Sequence, residues 1–231
     1  MQTGKAYSLD LRERVIAVYQ EGKSTMEEVA KRFAVSRSWV NNKQLRLEYQ
    51  LIMWAIETNN LVFIDESGTN LNMARTYARA KKGRRAHSSK LHNKGKNLTI
   101  IAAIAIKGVI AALSFFGSNN AITFLFYVTE VLVPHLNDTM VVVMDNLNLH
   151  CSDEVRTAIE NTGAKLIFLP TYSPDLSPIE MFWSKVKSIL RSTAPRITEQ
   201  LHAAITLAFN SISESDFFGW FYECDARTTL I

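Results

Sequence analysis

Three acidic residues far apart in the chain, Asp65, Asp145 and Glu180, stand where rigid elements would deliver a carboxylate to a cleft. The runs LVFI and MVVVM are uninterrupted apolar stretches, and each runs into an aspartate. A strand buried on both faces reads as such a run, and ligands of open sheets gather where the strands end. Both strands are therefore expected to stop at their aspartates. Glu180 follows a stiff loop holding Pro170, Pro174 and Pro178, three of the five prolines of the chain. Ser177, Pro178 and Glu180 match a capping box with proline at the first helical position. The glutamate is thus expected in a first helical turn, where the helix dipole favours negative charge. Asp175, in the same loop, is the rival third acid, and its setting is that of a turn former.

Carboxylates gathered in one cleft repel, and one takes up a proton unless a cation intervenes. Mg2+ accepts hard oxygen ligands, keeps several waters and binds through one or two carboxylates plus substrate phosphates, so three acids suit two such ions. Two ions about 4 Å apart activate the attacking oxygen and stabilise the leaving one in an in-line displacement at phosphorus. Taken singly, a strand-end Asp often closes an Asx-turn and a first-turn Glu often caps a helix. Taken together with the rest of the chain they point to one ligand, DNA.

The charge pattern supports that ligand. The formal charge is only +4, but residues 75 to 96 carry nine Lys or Arg, two His and no acid. This stretch is expected on a strand pair and loop just after the first acid-bearing strand, with Lys81, Lys82, Arg84 and Arg85 contacting phosphates. Near the N-terminus, apolar residues at helical spacing in SLDLRERVIAVYQEG stop at Gly22, Thr25 and Glu28 form a capping box, and Ser36 is the N-cap of a third helix. Helix, helix, tight turn, helix is the helix-turn-helix order, and it would present Arg37, Ser38, Asn41 and Asn42 to a major groove.

With 231 residues and 47% apolar content the chain can bury a sizeable core. The most apolar run, from Leu98 to Phe116, is broken by Lys107 and Gly108 and reads as two buried strands rather than a membrane span. Cys151 and Cys224 lack further partners for a disulfide framework or zinc knuckle, which fits a reducing compartment. A nucleophile pair of His150 and Cys151 is disfavoured, because adjacent residues seldom face each other. From Leu61, strands precede an alternation of helix and strand, and two helical stretches follow the proline-rich loop. That order is α/β, with right-handed crossovers and a mixed sheet. The stripe Trp183, Val186, Leu190 is read as packing that fastens the helix of Glu180 to the sheet.

FIDESG, VMDNLNLH and LPTYSPDLSPIEMFWSKVKSILR resemble the three catalytic blocks of transposases of the mariner superfamily, most closely its bacterial insertion-sequence branch. The 34 residues between Asp145 and Glu180 match that family's aspartate, aspartate, glutamate spacing. The resemblance implies a ribonuclease-H-like α/β fold, a DDE endonuclease with Asp65, Asp145 and Glu180 as catalytic and metal-holding triad, and two Mg2+ ions that Mn2+ can replace. Asn146 and His150 match the flanking positions and would orient ligands or phosphate. Glu66 would point to the opposite face of its strand. The implied partners are double-stranded DNA with terminal inverted repeats, a TA-containing target and a second copy of the chain on DNA, in the cytoplasm and at the nucleoid, with no membrane. The implied organisation is a helix-turn-helix unit over 1–46, a connecting helix over 47–60 and a catalytic domain over 61–231. One departure stands out: only NNKQLRLEYQLIMWAIETNN separates Val40 from Leu61, where the family carries a second helical subdomain and a linker. The chain thus reads as an internally deleted copy, clipped at its recognition helix. The competing classes are a DNA-binding regulator or domesticated remnant, and an RNase-H-type nuclease without strand transfer.

Overall fold

The computed structural model describes residues 9–75, 77–87, 95–146 and 152–224. It divides into two compact units, one of residues 1–55 with 170–173 and one of residues 56–169 with 174–231. No helix among the described residues is long and apolar enough to cross a membrane.

The smaller unit holds α1 (Leu9–Gln20), α2 (Met26–Arg32) and α3 (Arg37–Trp54). Val15, Val29, Ala30 and Val40 form its core, with Leu11, Val18, Phe33 and Trp39 packed around them. The capping box at α2 closes in both directions. The Thr25 main-chain N–H donates to Glu28 Oε2 at 2.7 Å, and the Glu28 N–H donates to Thr25 Oγ1 at 3.3 Å. The turn into α3 passes through Ala34 at φ 53°, and Ser36 Oγ then accepts from the Trp39 N–H at 3.2 Å. One continuous helix, α3, spans the expected recognition residues and the first part of the connecting stretch, but it ends at Trp54 rather than at residue 60, and a 3-10 turn over Thr58–Asn60 follows.

The larger unit is built on a five-stranded mixed sheet in the order β3-β2-β1-β4-β5. Its strands are β1 (Leu61–Thr69), β2 (Leu98–Ala105), β3 (Gly108–Phe116), β4 (Val141–Met144) and β5 (Lys165–Phe168). β1 pairs antiparallel with β2 and parallel with β4, and β5 runs parallel to β4. A helical stretch follows β3: α4 (Ala121–Phe126) continues as a π turn over Tyr127–Leu132 and a 3-10 turn over Val133–His135. With α5 (Asp153–Glu160), it covers one face through Phe124, Tyr127, Leu132, Val155 and Ile159 packed on Val62, Ile64, Ile101, Val142 and Met144.

The helices α6 (Pro178–Thr193), α7 (Thr198–Asn210) and α8 (Glu214–Cys224) complete the unit. Phe63 of β1 meets the Phe221 ring edge-on at 5.5 Å, and Phe182 of α6 packs with Phe209, Phe217 and Trp220. Residues alternate across a strand, so Phe63 and Asp65 face these helices while Val62 and Ile64 face the other layer. This is the expected α/β arrangement, with three helices rather than two after the proline-rich loop.

Two expectations are corrected. β1 does not stop at Asp65 but runs on to Thr69, because Asp65 to Thr69 continue the ladder with Ala102 to Leu98. An apolar run marks only the part of a strand buried on both faces, whereas main-chain pairing carries it further. β4 does end at Met144, directly before Asp145. The second correction concerns the cationic stretch, where residues 75 and 77–87 contain no strand. β1 already pairs with β2 on one side and β4 on the other, which leaves no ladder position beside it.

Candidate active site

Asp65 sits in the middle of β1, paired with Ala102 of β2 and two residues past the last pairing of β1 with β4. The parallel register pairs Phe63 with Val143, so two residues further on Asp145 follows β4 beside Asp65. Glu180 lies in the first turn of α6. Asp65 and Asp145 are half-buried, and Glu180 is exposed.

The α6 start differs from the expected capping box. Ser177 occupies the N-cap position, but its side chain makes no cap bond. Its Oγ is buried and finds no hydrogen-bond partner among the described residues. Pro178, with φ preset for the first turn, starts the helix without a side-chain cap. The Glu180 carboxylate is therefore not spent on closing its own helix.

Burial pushes the Asp65 carboxyl up to about 7, and the carboxylates of Glu66, Glu180 and Asp145 add to the rise, while a hydrogen bond from the Glu66 main chain opposes it. Acids from two distant segments thus act on Asp65 through space. Among the described residues no three His, Cys, Asp or Glu side chains gather tightly enough to hold one ion. The three acids share a field rather than a closed cage. Their donor chemistry still suits a hard divalent cation, which needs only one or two carboxylates when waters and phosphate oxygens complete its shell.

Trp183 is the residue whose role sequence reasoning missed. Its indole N–H donates to Asp65 Oδ2 at 3.0 Å. The stripe of Trp183, Val186 and Leu190 is buried as expected, but its first member also touches one of the candidate acids. A signal was present: a buried indole N–H needs an acceptor, and Trp183 stands one turn beyond Glu180.

The remaining residues singled out in the sequence fall elsewhere. Asn146 is exposed beside Asp145, and His150 lies outside the described residues. Asp175 belongs to a 3-10 turn over Pro174–Leu176, and its carbonyl accepts from Cys224 Sγ at 3.6 Å. Lys81, Lys82, Arg84 and Arg85 are exposed around a turn closed by the Arg84 N–H on the Lys81 carbonyl at 2.9 Å. In the smaller unit Arg37 pairs with Glu27 at 3.1 Å and the Ser38 hydroxyl meets that of Ser36. Asn41 is exposed, while Asn42 Nδ2 donates to the Thr171 carbonyl at 2.6 Å. Arg37 and Asn42 are therefore committed to internal contacts, which DNA would have to replace or share.

Comparison with known proteins places this geometry in context. A search of curated proteins gives no match. Among solved structures, a Mos1 transposase paired-end complex with its left transposon end superposes with TM-score 0.63 at 16% identity, over 98% of this chain and 79% of that one. A mariner Mos1 paired-end complex with Mg gives 0.62 at 15% identity, over 98% and 80%. The Mos1 catalytic domain alone gives 0.54 at 12% identity, over 97% and 93%. These likenesses show that the chain shares the ribonuclease-H-like fold of the Mos1 catalytic domain. The family model described as DDE superfamily endonuclease matches residues 60–202, more than half the chain and all three acids, and the chain belongs to that family.

Proposed function

We propose that the chain is a transposase that uses Asp65, Asp145 and Glu180 to cut DNA at the ends of a mobile element and to join those ends to a target. The observation that carries the reading is that Asp145 and Glu180, delivered by the end of β4 and the first turn of α6, both act electrostatically on the buried Asp65 of β1. Family membership supports the nuclease chemistry, and the solved relatives include complexes with transposon ends, Mg and Mn.

In this reading Asp65, Asp145 and Glu180 hold two divalent ions, which supply Lewis-acid activation of the attacking oxygen and charge stabilisation of the leaving one. The chain's own part is positional. The strands fix Asp65 and Asp145 side by side, α6 aims Glu180 toward them, and Asn146 and His150 orient ligands or phosphate. Lys81, Lys82, Arg84 and Arg85 hold the DNA backbone without reading sequence. Arg37, Ser38, Asn41 and Asn42, on a helix-turn-helix over 1–46, contact the element ends. The partners are terminal inverted repeats, a TA-containing target and a second copy of the chain.

The bacterial insertion-sequence branch and the internal deletion after Val40 belong to the same proposal. The test is incubation with supercoiled DNA carrying the cognate element ends and Mg2+ or Mn2+. Nicking at the ends, abolished by Asp145→Ala in a folded protein, is the expected result. Undiminished nicking by that variant, with contamination excluded, sinks the assignment. Cleavage without joined products would reduce the protein to a nuclease.

A further inference from the structure

We infer that Trp183 is a positioning residue that fixes the Asp65 carboxylate for its ligand through the indole N–H. The inference rests on the proposed metal-holding role of Asp65. An indole carries one donor and no acceptor, so a buried one is aimed by its single hydrogen bond. Trp183 is 2% exposed, and that bond ends on Asp65 Oδ2 at 3.0 Å. A carboxylate offers about four lone-pair sites. The indole takes one of them and the Glu66 main-chain N–H another, which together stop rotation of the carboxylate and leave the remaining lone pairs to a ligand.

Position in the helix strengthens the case. Trp183 lies three residues beyond Glu180, so α6 carries one acid of the centre and the donor that orients another. Packing locks the indole: Val186 and Leu190 continue its buried stripe, and the Phe182 ring lies 4.8 Å from it. A shift of α6 would move Glu180 and the Asp65 carboxylate together. Groups that hold a ligating side chain in this way commonly change metal affinity 10–100-fold when lost.

The experiment uses the full chain with 15N-labelled tryptophan. Trp183→Phe assigns the indole N–H resonance of Trp183 by its disappearance while keeping an aromatic ring in the core. Mg2+ is then titrated into the wild type without DNA, and that resonance is expected to move. Asp65→Asn is expected to displace it and remove the response. Metal dependence of nicking gives the second readout. Trp183→Phe should need roughly 10–100-fold more metal for half-maximal rate. Phe182→Leu, which loosens the packing but keeps the N–H, should lower the melting temperature and leave that requirement unchanged.

The inference is overturned if the Trp183 resonance ignores both Mg2+ and Asp65→Asn. It is equally overturned if Trp183→Phe and Phe182→Leu shift the metal requirement alike or not at all. Failure of the proposed function looks different: the wild type would not nick, or Asp145→Ala would nick as well as it does. In that event the resonance alone decides whether Trp183 holds Asp65 for a cation.

Discussion

The starts of α2 and α6 carry the same local message in sequence, a hydroxyl residue followed three positions later by glutamate, and the structure treats them differently. At α2 the box closes, with Thr25 and Glu28 each satisfying the other's main chain. At α6 the Ser177 hydroxyl caps nothing, and Glu180 is exposed within the field of Asp65. A capping box uses its glutamate locally, and a glutamate so used is not offered to a ligand. In the proposed function the open box is the one that serves the site, and Pro178 makes the opening tolerable by starting the helix without a side-chain cap.

The largest expected effect separates the two glutamates by chemistry. Glu180→Gln should cut nicking by roughly a thousandfold, the order expected when a charge-stabilising group is lost. Its stability should stay within about 0.5 kcal/mol of wild type, because an exposed side chain that closes no cap contributes little. Glu28→Ala should do the reverse, melting earlier while keeping the cleavage rate at saturating DNA. Nicking assays paired with melting curves check both, and the comparison breaks if Glu180→Gln remains active.

The next effect follows from the burial of Asp65, to which the neighbouring acids add. Its carboxyl ionises near 4 in an unfolded chain and at about 7 in the folded one. Between these values the folded state binds the extra proton, so this group's contribution to stability is complete below pH 4 and fades as pH rises through 7. The full gap sets a ceiling of roughly 4 kcal/mol. Asp65→Asn should flatten that slope. Millimolar Mg2+ at pH 8 should raise the wild-type melting temperature and leave Asp65→Asn nearly indifferent, since a ligand bound to the native state stabilises by mass action. Parallel pH profiles for the two proteins would remove Asp65 from the crowded site.

Much of the candidate site was legible because its acids sit on regular elements. An apolar run ending at Asp145 located the end of β4 correctly, and the proline-rich entry located the start of α6 at Pro178. The same logic misjudged β1, since main-chain pairing with β2 extends a strand past its apolar run. The cationic residues 77–87 were the least legible: charge declares exposure but does not declare a strand, and none forms there. Trp183 was hidden for another reason. Its spacing fits packing, and only the position of Asp65 in space shows where its N–H must go.

A smaller effect tests the closed box directly. Thr25→Ala removes the acceptor for the Glu28 N–H and should cost about 1 kcal/mol. The loss belongs to the smaller unit, whose core is modest, so thermal unfolding of α1–α3 followed by Trp39 fluorescence should register it first. No change would mean that the two hydrogen bonds at α2 are cosmetic.

The smallest effect is the most discriminating, because local sequence rules predict a loss of about 1 kcal/mol for Ser177→Ala as well. The structure leads to a different expectation. The Ser177 Oγ is 3% exposed as part of its residue, accepts no hydrogen bond from the α6 main chain and has no partner among the described residues. A buried hydroxyl without a partner carries a desolvation cost of roughly 1–3 kcal/mol, and an alanine methyl in the same place carries none. The lost oxygen leaves only a small space beside Pro178 and Ile179, which are themselves buried. Ser177→Ala should therefore leave stability unchanged or raise it by up to ~1 kcal/mol, with Glu180 still able to support nicking. Denaturant titration of this variant beside Thr25→Ala reads the difference without reference to DNA. A loss at Ser177 equal to that at Thr25 would mean that both boxes close in solution, and that Glu180 is held by its own helix rather than presented to the acids of β1 and β4.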